Sequence, residues 1–322
     1  MNIFFDSLIA ILVVSTALPA VILLYHRQKD PKSWEYHCRK VSLIFFLLLL
    51  SGAVIVLYGS FIEPRFLLVK EEGIDLKKIN KPIKIVLMAD IQVGPYRDSD
   101  QVNKVVKKIL SLKPDLVLMA GDHINNSGDG KDETVYLQPL QKLAEQIPVY
   151  AVHGNHEYGV SDNASLYDSK FRLPDWSQNT KEAMEELGVR YLVNELEEIA
   201  VGDQSFYLFG GDSYWAQNLD LGVLKIKNKD LPVIALIHNP VAVFDVSGYD
   251  VDLMLSGHTH GGQVRLPFIG PIIPVDNVIP RKWHQGWVEY DGLDMYVTSG
   301  AGETGTRARL FTPPEIVLLT VY

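Results

Sequence analysis

Cysteine is almost absent from this chain of 322 residues, which contains only Cys38. A single thiol excludes intrachain disulfide bonds and metal sites built from several cysteines. The chain has 30 Lys and Arg residues and 39 Asp and Glu residues, which gives a net charge of −9. Nucleic-acid-binding surfaces need clustered Lys and Arg to displace counterions from phosphates, so this balance argues against nucleic acid as a partner. The chain also shows no internal repeat and no low-complexity tract.

Charge is missing from two long stretches near the N-terminus, residues 7–25 and 41–61. As a helix, each stretch is long enough to cross a hydrocarbon core of about 30 Å. A cleaved signal peptide or a buried core helix is the alternative, but the first stretch lacks a basic start and a second apolar stretch follows it. We therefore predict a membrane anchor of two helices over residues 1–61, followed by one large domain over residues 62–322.

Basic residues are unevenly distributed around these stretches. None precedes the first stretch, whereas the loop over residues 26–40 contains several. They are Arg27, Lys29, Lys32, Arg39 and Lys40. By the positive-inside rule this loop is expected in the cytoplasm, which places the large domain on the outer side of the cell membrane. Further Lys and Arg soon after residue 61 weaken this bias, so a cytoplasmic domain stays open.

Short apolar runs recur along residues 62–322, and most end in Asp, Asn, His or Gly. Between the early runs, residues 100–113 (DQVNKVVKKILSLK) alternate apolar and basic positions. Val102, Val106 and Ile109 fall on one stripe with lysines opposite, as in a helix that covers a sheet. Alternating strands and helices predict an α/β domain, whose ligands gather at the carboxyl ends of the strands.

Side chains that can bind a metal follow several of these runs. They are Asp90, Gln92, Asp122, Asn155, His156, His238, His258 and His260. One polar residue after a strand is usually a turn former or a helix cap. Together, carboxylates, amides and imidazoles at one sheet edge form a mixed O/N ligand set that suits Mn, Fe or Zn and is too rich in nitrogen for Ca or Mg alone. One residue separates His258 from His260, so each histidine can bind one of two neighbouring metals.

The segments that carry these residues resemble the motif series of the calcineurin-like metallophosphoesterases. In chain order they read ADIQ, AGDH, GNHE, IHNP and GHTH. The lead-in over residues 60–76 and the closing segment over residues 298–321 look like the membrane-associated bacterial subgroup of that family. The resemblance implies a four-layer α/β/β/α sandwich, preceded here by two transmembrane helices, and a centre of two divalent metals. Mn is the expected metal, with Fe, Zn or Mg as alternatives.

The resemblance also implies a role for each candidate residue. It assigns the first metal to Asp90 and His260, the second metal to Asn155, His238 and His258, and the bridge between the metals to Asp122. His156 would face the phosphate, as a general acid or as a stabiliser of the leaving oxygen. Arg309 matches the family's closing arginine by its distance from Pro314 and would bind phosphate, unless it is a surface residue. His123, His153 and His284 are expected in the core or behind the ligands.

Gln92 departs from the motif, which has a histidine at this position. An amide oxygen is a harder and weaker donor than an imidazole nitrogen. A related branch that hydrolyses ADP-ribose and other nucleotide diphosphates has D-x-Q here as well, which favours replacement of the ligand over its loss. We expect Gln92 to make the first metal more labile and to favour Mn.

The expected reaction is metal-dependent hydrolysis of a phosphomonoester, phosphodiester or pyrophosphate. Two metals activate water and neutralise phosphate oxygens, so a Ser or Cys nucleophile is not needed. Membrane anchors favour a lipid or lipid-linked substrate, with exposed apolar residues near the site in residues 212–222 and 265–283, unless these segments pack on their own core. A reaction like that of UDP-2,3-diacylglucosamine pyrophosphatase in lipid A synthesis is a specific version, and it would need a cytoplasmic domain.

Two other functions stay open at this stage. A sensor without catalytic activity could use the inherited site to bind a phosphorylated ligand, but only Gln92 departs from the motif, which favours an enzyme. A phosphoprotein phosphatase shares the motifs and lacks the membrane anchors. No obligate protein partner is implied.

Overall fold

Two long helices precede the folded domain in the computed structural model, which describes residues 2–225, 230–305 and 307–322. Helix α1 (Asn2–Lys29) and helix α3 (Arg39–Phe61) flank the short α2 (Trp34–His37). The long helices are antiparallel, since Gly52 of α3 lies beside Thr16 of α1 and Arg27 donates to the Arg39 carbonyl. Both are long and apolar enough to cross a membrane, and most of their apolar side chains are exposed. Neither is therefore a buried core helix.

Two six-stranded sheets form the domain. The first has the order β1, β14, β2, β3, β4, β5. Its strands are β1 (Leu68–Ile74), β2 (Ile83–Met88), β3 (Leu116–Ala120), β4 (Val149–Val152), β5 (Arg190–Tyr191) and β14 (Glu315–Val321). Strands β2 to β5 are parallel, while β14 is antiparallel to β2 and inserts the C-terminus into the sheet.

The second sheet has the order β12, β13, β9, β8, β7, β6. Its strands are β6 (Glu195–Val201), β7 (Gln204–Gly210), β8 (Val233–Leu236), β9 (Leu253–Ser256), β12 (Gly286–Tyr290) and β13 (Leu293–Val297). Strands β7, β8, β9 and β13 are parallel, so their carboxyl ends share one edge. A separate two-stranded hairpin pairs β10 (Arg265–Leu266) with β11 (Gly270–Pro271).

The alternation of side chains along β2 shows how the layers are built. Ile85 and Leu87 lie in the core between the sheets, which also contains Leu236 and Leu255. Val86 points to the outer face of the first sheet and packs against helices. Successive side chains of a strand face opposite sides, so a run that is apolar at every position is buried on both faces.

Helices cover the outer faces. On the first sheet these are α4 (Ser99–Leu112), α5 (Leu140–Ala144) and α7 (Ser177–Glu186), while α6 (Asn163–Tyr167) lies beside the site. The predicted stripe of α4 is buried, and an Asp98 capping box starts the helix. On the second sheet the described cover is thinner, with α8 (Val243–Val246) and short 3₁₀ turns. The predicted four-layer α/β/β/α architecture is confirmed.

Helix α3 is attached to the domain by direct hydrogen bonds. It ends at Phe61, the last residue of the predicted membrane anchor. The Gly59 carbonyl accepts a bond of 2.8 Å from the Arg309 amide, and the buried Glu63 carboxylate accepts one of 2.7 Å from the Thr312 amide. The closing segment of the domain therefore rests on the end of the apolar helix pair.

Candidate metal centre

Loops at the carboxyl ends of strands bring the predicted ligands to one place. Asp90 follows β2, Asp122 follows β3, Asn155 and His156 follow β4, His238 follows β8, and His258 and His260 follow β9. Several of these residues have a left-handed backbone: φ is 54° at Asp90, 51° at Gln92 and Asp122, 70° at His258 and 50° at His260. Such conformations are costly for residues other than glycine and cluster at functional sites, where the surrounding fold imposes them.

Two groups of buried side chains have the geometry of metal sites. Asp122, His238 and His258 form one group, and Asp90, Asp122 and His260 form the other. Within each group the ligand atoms lie within 4.8 Å of one another. Asp122 belongs to both groups, which is the position predicted for a bridging carboxylate.

The ligand atoms lie close enough to one another to bind a common cation. The Asp122 Oδ2 atom lies 3.2 Å from His238 Nε2, and Asp90 Oδ1 lies 3.6 Å from His260 Nε2. The backbone N–H of His258 donates to both Asp90 oxygens, at 3.1 and 3.0 Å. This bond fixes the orientation of the Asp90 carboxylate.

Several buried polar atoms at the centre have no hydrogen-bond partner in the described part of the chain. They are both ring nitrogens of His258, Nε2 of His260 and Oε1 of Gln92. Buried polar groups are nearly always paired, because an unpaired one costs free energy. Unpaired atoms that converge on two carboxylates fit divalent metal ions, which would serve as their common partners.

Gln92 lies beside the bridging carboxylate. Its side chain is 2% exposed, and its Nε2 donates a bond of 3.1 Å to Asp122 Oδ2. The amide oxygen is available to a metal because it has no other described partner. That Gln92 binds a metal stays a prediction, and the geometry is compatible with it.

Burial and neighbouring charges shift the pKa values of these groups. Burial raises the pKa of Asp90 to about 7, although His238 acts against this shift. Burial alone would also raise the pKa of Asp122, but His238 and His156 outweigh it and hold this pKa well below its usual value. The pKa of His238 is raised to about 9, because the attraction of Asp122 exceeds the effect of burial. Burial lowers the pKa of His258 and His260, which keeps both imidazoles in the neutral form that binds metals.

Comparison with known proteins identifies the family. The family model for calcineurin-like phosphoesterases matches residues 83–262, which is more than half of the chain. The chain belongs to this family. The predicted family and the predicted phosphoester hydrolase activity are thereby confirmed. The family and the two residue groups together indicate a dinuclear centre of divalent metals.

Several relatives of this metallophosphoesterase match over most of their length. An uncharacterized metallophosphoesterase of Bacillus subtilis, YkuE, is 29% identical over 269 residues, which cover 82% of this chain and 88% of YkuE. The phosphodiesterase YaeI of Escherichia coli is 28% identical, over 81% of this chain and 91% of YaeI. The uncharacterized metallophosphoesterase Cj0846 of Campylobacter jejuni is 30% identical, over 87% of this chain and 70% of Cj0846. Among solved structures, a dimetal phosphatase from Danio rerio is 14% identical over 70% of this chain and 90% of its own, with a TM-score of 0.41.

His156 lines the cavity beside Asp122, and its phosphate-facing role stays a prediction. Its Nδ1 is 2.8 Å from the Asn125 carbonyl, which orients the ring. Its Nε2 is 3.9 Å from Asp122 Oδ2, at the inner end of a cavity that reaches the metal centre. The ring therefore lies beside the candidate metal ligands and borders the cavity.

Two buried residues that our sequence reasoning missed position the ligands. Asn239 donates a bond of 3.1 Å to Asn155 Oδ1, while Asn155 donates one of 2.6 Å to the Val160 carbonyl. These bonds fix the Asn155 amide and leave one lone pair of its oxygen for a metal. Glu157 is fully buried and accepts bonds from backbone N–H groups of four residues. These are Asp122, His123, Ile124 and Gly154. The sequence signals were the polar neighbours within GNHE and IHNP.

Arg309 requires a correction. It was predicted to bind phosphate or else to lie on the surface, and both predictions are wrong, because its side chain is fully buried. Its guanidinium donates to the backbone carbonyls of four residues, namely Gly302, His260, Thr312 and Ser299. Nη2 also lies 3.3 Å from His260 Nδ1. Arg309 therefore positions the loop of His260, a predicted metal ligand, and its donors are engaged within the fold.

Three further histidines of the domain are buried behind the site. His123 Nε2 lies 3.0 Å from the Val152 carbonyl, and His153 Nδ1 lies 2.9 Å from the Tyr191 hydroxyl. His284 is also fully buried. Neither of the two described metal groups includes any of them.

The two apolar segments expected near the site, residues 212–222 and 265–283, differ in exposure. In the first, Trp215 is buried and its ring packs on His258 with centroids 4.3 Å apart. In the second, several large apolar side chains are exposed, so this segment does not simply pack on its own core. They include Phe268, Ile269, Ile273 and Val278.

Proposed function

We propose that this metallophosphoesterase is anchored in a membrane by α1 and α3 and hydrolyses the phosphoester of a lipid or lipid-linked substrate. One observation carries the proposal. A cavity of about 640 Å³ begins at the metal centre and extends to both apolar helices. A soluble substrate would not need a cavity with walls made by helices of this kind.

The lining of the cavity changes from polar to apolar along its length. The polar end is formed by Asp122, Asn155, His156, His258 and His260. The apolar end is formed by Leu8, Ile9 and Leu12 of α1 and by Ile55 and Val56 of α3. Ile272 and Ile273 complete the apolar wall. This gradient matches a molecule with a phosphate at one end and a hydrocarbon chain at the other.

The cavity also extends along the helices in the direction that a lipid chain would take. The lining residues of α1 extend from Phe5 to Leu12, which is about 10 Å along a helix axis. These residues belong to the part of α1 nearest the domain, which would lie in the adjoining leaflet if the helices span the bilayer. A chain seated there would bring its phosphate to the metals without leaving the apolar environment completely.

The chain's own residues prepare the site for this reaction. Bound divalent metals would neutralise phosphate oxygens and lower the pKa of a water molecule. Asp90 and Asp122 supply the negative charge that holds such metals, while His156 can give a proton to the leaving oxygen. We propose Mn as the metal, because the amide oxygens of Gln92 and Asn155 add hard donors to the histidines.

A substitution that fills the apolar end of the cavity tests the substrate class. Leu8→Trp narrows the cavity, whereas Leu18→Trp places the same side chain on an exposed part of the same helix. We expect Leu8→Trp to reduce turnover of long-chain lipid phosphoesters in mixed micelles roughly tenfold, equivalent to about 1.4 kcal/mol. Turnover of the soluble diester bis(p-nitrophenyl) phosphate should be unchanged, and Leu18→Trp should resemble the wild type with both substrates. Equal losses with both substrates, or no loss with either, would overturn the lipid assignment.

A further inference from the structure

The β10–β11 hairpin presents an apolar tip to solvent. We use the name apolar hairpin for residues 264–273, in which Pro267, Phe268 and Ile269 connect the two short strands. Phe268 is 109% exposed, Ile269 is 62% exposed and Ile273 is 78% exposed. Single exposed apolar residues are ordinary, but a contiguous group marks an interaction site.

The backbone conformation at this tip is unfavourable for Phe268. The Ile269 N–H donates a bond of 3.2 Å to the Leu266 carbonyl, which closes a four-residue turn. Phe268 is the third residue of the turn and has a φ of 67°, a position that favours Gly or Asn. Phe311 and Phe268 line one groove, and Phe311 is 60% exposed and has a φ of 56°. Two phenylalanines are thus both exposed and strained, which points to a use for their side chains outside the fold.

Positive charge lies directly beside the tip. The tip lines a groove of about 470 Å³, and the lining also includes Arg265, Arg281 and Lys282. No Asp or Glu lines this groove in the described part of the chain. Arg265 donates to the Gly261 carbonyl at 2.6 Å, which holds its side chain in place. The groove is therefore cationic within a protein of net charge −9.

The apolar hairpin is continuous with the proposed membrane-facing wall of the cavity. Val264, Ile272 and Ile273 line the cavity together with residues of α1 and α3. Val264 also forms a bridge with Leu310, whose neighbour Arg309 bonds to Gly59 near the end of α3. The tip and the helix pair thus belong to one side of the molecule.

We propose that the apolar hairpin is a second membrane-contact site, which binds anionic phospholipids beside the mouth of the cavity. Phe268 and Ile269 enter the apolar layer, and Arg281 and Lys282 contact lipid phosphates. Aromatic side chains flanked by Lys and Arg suit the boundary between hydrocarbon and headgroups, and nearby cations favour anionic lipids. The contact would hold the cavity mouth at the bilayer surface, so that a lipid enters from the leaflet. The inference rests on the proposed membrane attachment, and its test does not require turnover.

A fluorescent label at the tip tests the contact. Cys38 is the only cysteine, so Cys38→Ser gives a background in which Phe268→Cys can be labelled with the environment-sensitive fluorophore NBD. Asp203→Cys is the control, because this exposed residue precedes β7 at the sheet edge opposite the metal centre. The full-length protein is placed in nanodiscs of phosphatidylcholine with and without phosphatidylglycerol.

The label at residue 268 should shift its emission to the blue, and doxyl-labelled lipid should quench it several-fold more strongly than the label at residue 203. Anionic lipid should increase this quenching. Emission at residue 268 that is as water-like as at residue 203 would overturn the proposal, whatever the enzyme hydrolyses. If the tip does not insert but the enzyme still hydrolyses a lipid substrate, the membrane-contact proposal fails while the proposed function stands.

The cationic groove is tested in the same nanodiscs. The double substitution Arg281→Gln and Lys282→Gln should reduce the quenching at residue 268 in anionic nanodiscs to the level found in neutral ones. Lys108→Gln, at an exposed position of α4, should leave it unchanged. Equal quenching of the parent protein in neutral and anionic nanodiscs would overturn the assignment of anionic lipid.

The backbone strain at Phe268 can be tested independently, by thermal unfolding. Phe268→Gly removes a bulky side chain from a left-handed position and should raise the thermal unfolding midpoint in detergent. The same substitution should reduce turnover of lipid substrate in nanodiscs several-fold and leave turnover of a soluble diester unchanged. A lower unfolding midpoint would show that Phe268 serves the fold and would overturn its assignment to the membrane.

Discussion

Gln92 is the residue that we predict to set how strongly the first metal is held. Its side chain is buried against Asp122, and it has a φ of 51°, which the surrounding loops impose. The amide oxygen is a weaker donor to a transition metal than an imidazole nitrogen. A site with Gln92 should therefore exchange one metal more readily than a site with histidine at this position.

The substitution Gln92→His tests this difference. We expect roughly tenfold tighter binding of one metal, about 1.4 kcal/mol, with the other metal unchanged. Titration calorimetry of the metal-free protein with Mn and Zn measures both steps. Gln217→His is a matched control, because Gln217 is exposed and also has a positive φ, of 67°. Equal affinities in the variant and the parent would show that Gln92 is not a ligand.

At the scale of elements, hydrogen bonds connect the end of α3 to the candidate metal centre. The Gly59 carbonyl accepts a bond from the amide of Arg309, and the guanidinium of Arg309 donates to the carbonyl of His260 at 2.8 Å. A Cβ atom at Gly59 would lie 3.1 Å from the Arg309 carbonyl oxygen, which is tighter than ordinary packing. A change in the apolar helix should therefore reach a metal ligand through one positioning residue.

The substitution Gly59→Val tests this coupling. We expect it to displace the loop of Arg309 and to weaken the metal site, with a roughly tenfold loss in soluble-diester turnover. Mn affinity measured by calorimetry should fall in parallel. Gly52→Val is the control in the same helix, because a Cβ atom there would meet only the Thr16 side chain at 3.4 Å. Similar effects of the two substitutions would indicate general damage to the helix pair and contradict the coupling.

Elements also show what could be predicted from sequence and what could not. The stripe of α4 and the ligands at the strand ends were predictable, because each depends on local periodicity or on the edge that parallel strands share. Arg309 was not, because its burial requires loops at residues 260, 299, 302 and 312 to close around it. The cavity was not predictable either, since its walls combine α1, α3 and segments more than 200 residues away. Sequence patterns identify the side chains of each segment, while tertiary packing determines which residues those side chains contact.

At the scale of the whole molecule, the cavity, the apolar hairpin and the attached ends of the helices lie on one side of the domain. The loop between α1 and α3 lies at the far end of the helix pair and carries the basic residues expected in the cytoplasm. If the helices span the membrane, the side that this loop faces fixes the side of the catalytic domain. This side matters for the substrate, because a step like that of UDP-2,3-diacylglucosamine pyrophosphatase would require a cytoplasmic domain.

Cys38 provides a direct measurement of this orientation. It is exposed and lies in the basic loop, so a membrane-impermeant maleimide can report which side the loop faces. We expect no labelling in sealed right-side-out vesicles and full labelling after permeabilisation, because the positive charges favour a cytoplasmic loop. In the Cys38→Ser background, Asp203→Cys should show the opposite pattern, with labelling before permeabilisation. If Cys38 is labelled in sealed vesicles and residue 203 is not, the domain is cytoplasmic. The charge-based orientation would then be wrong, and a nucleotide-linked lipid made in the cytoplasm would become the first substrate to assay.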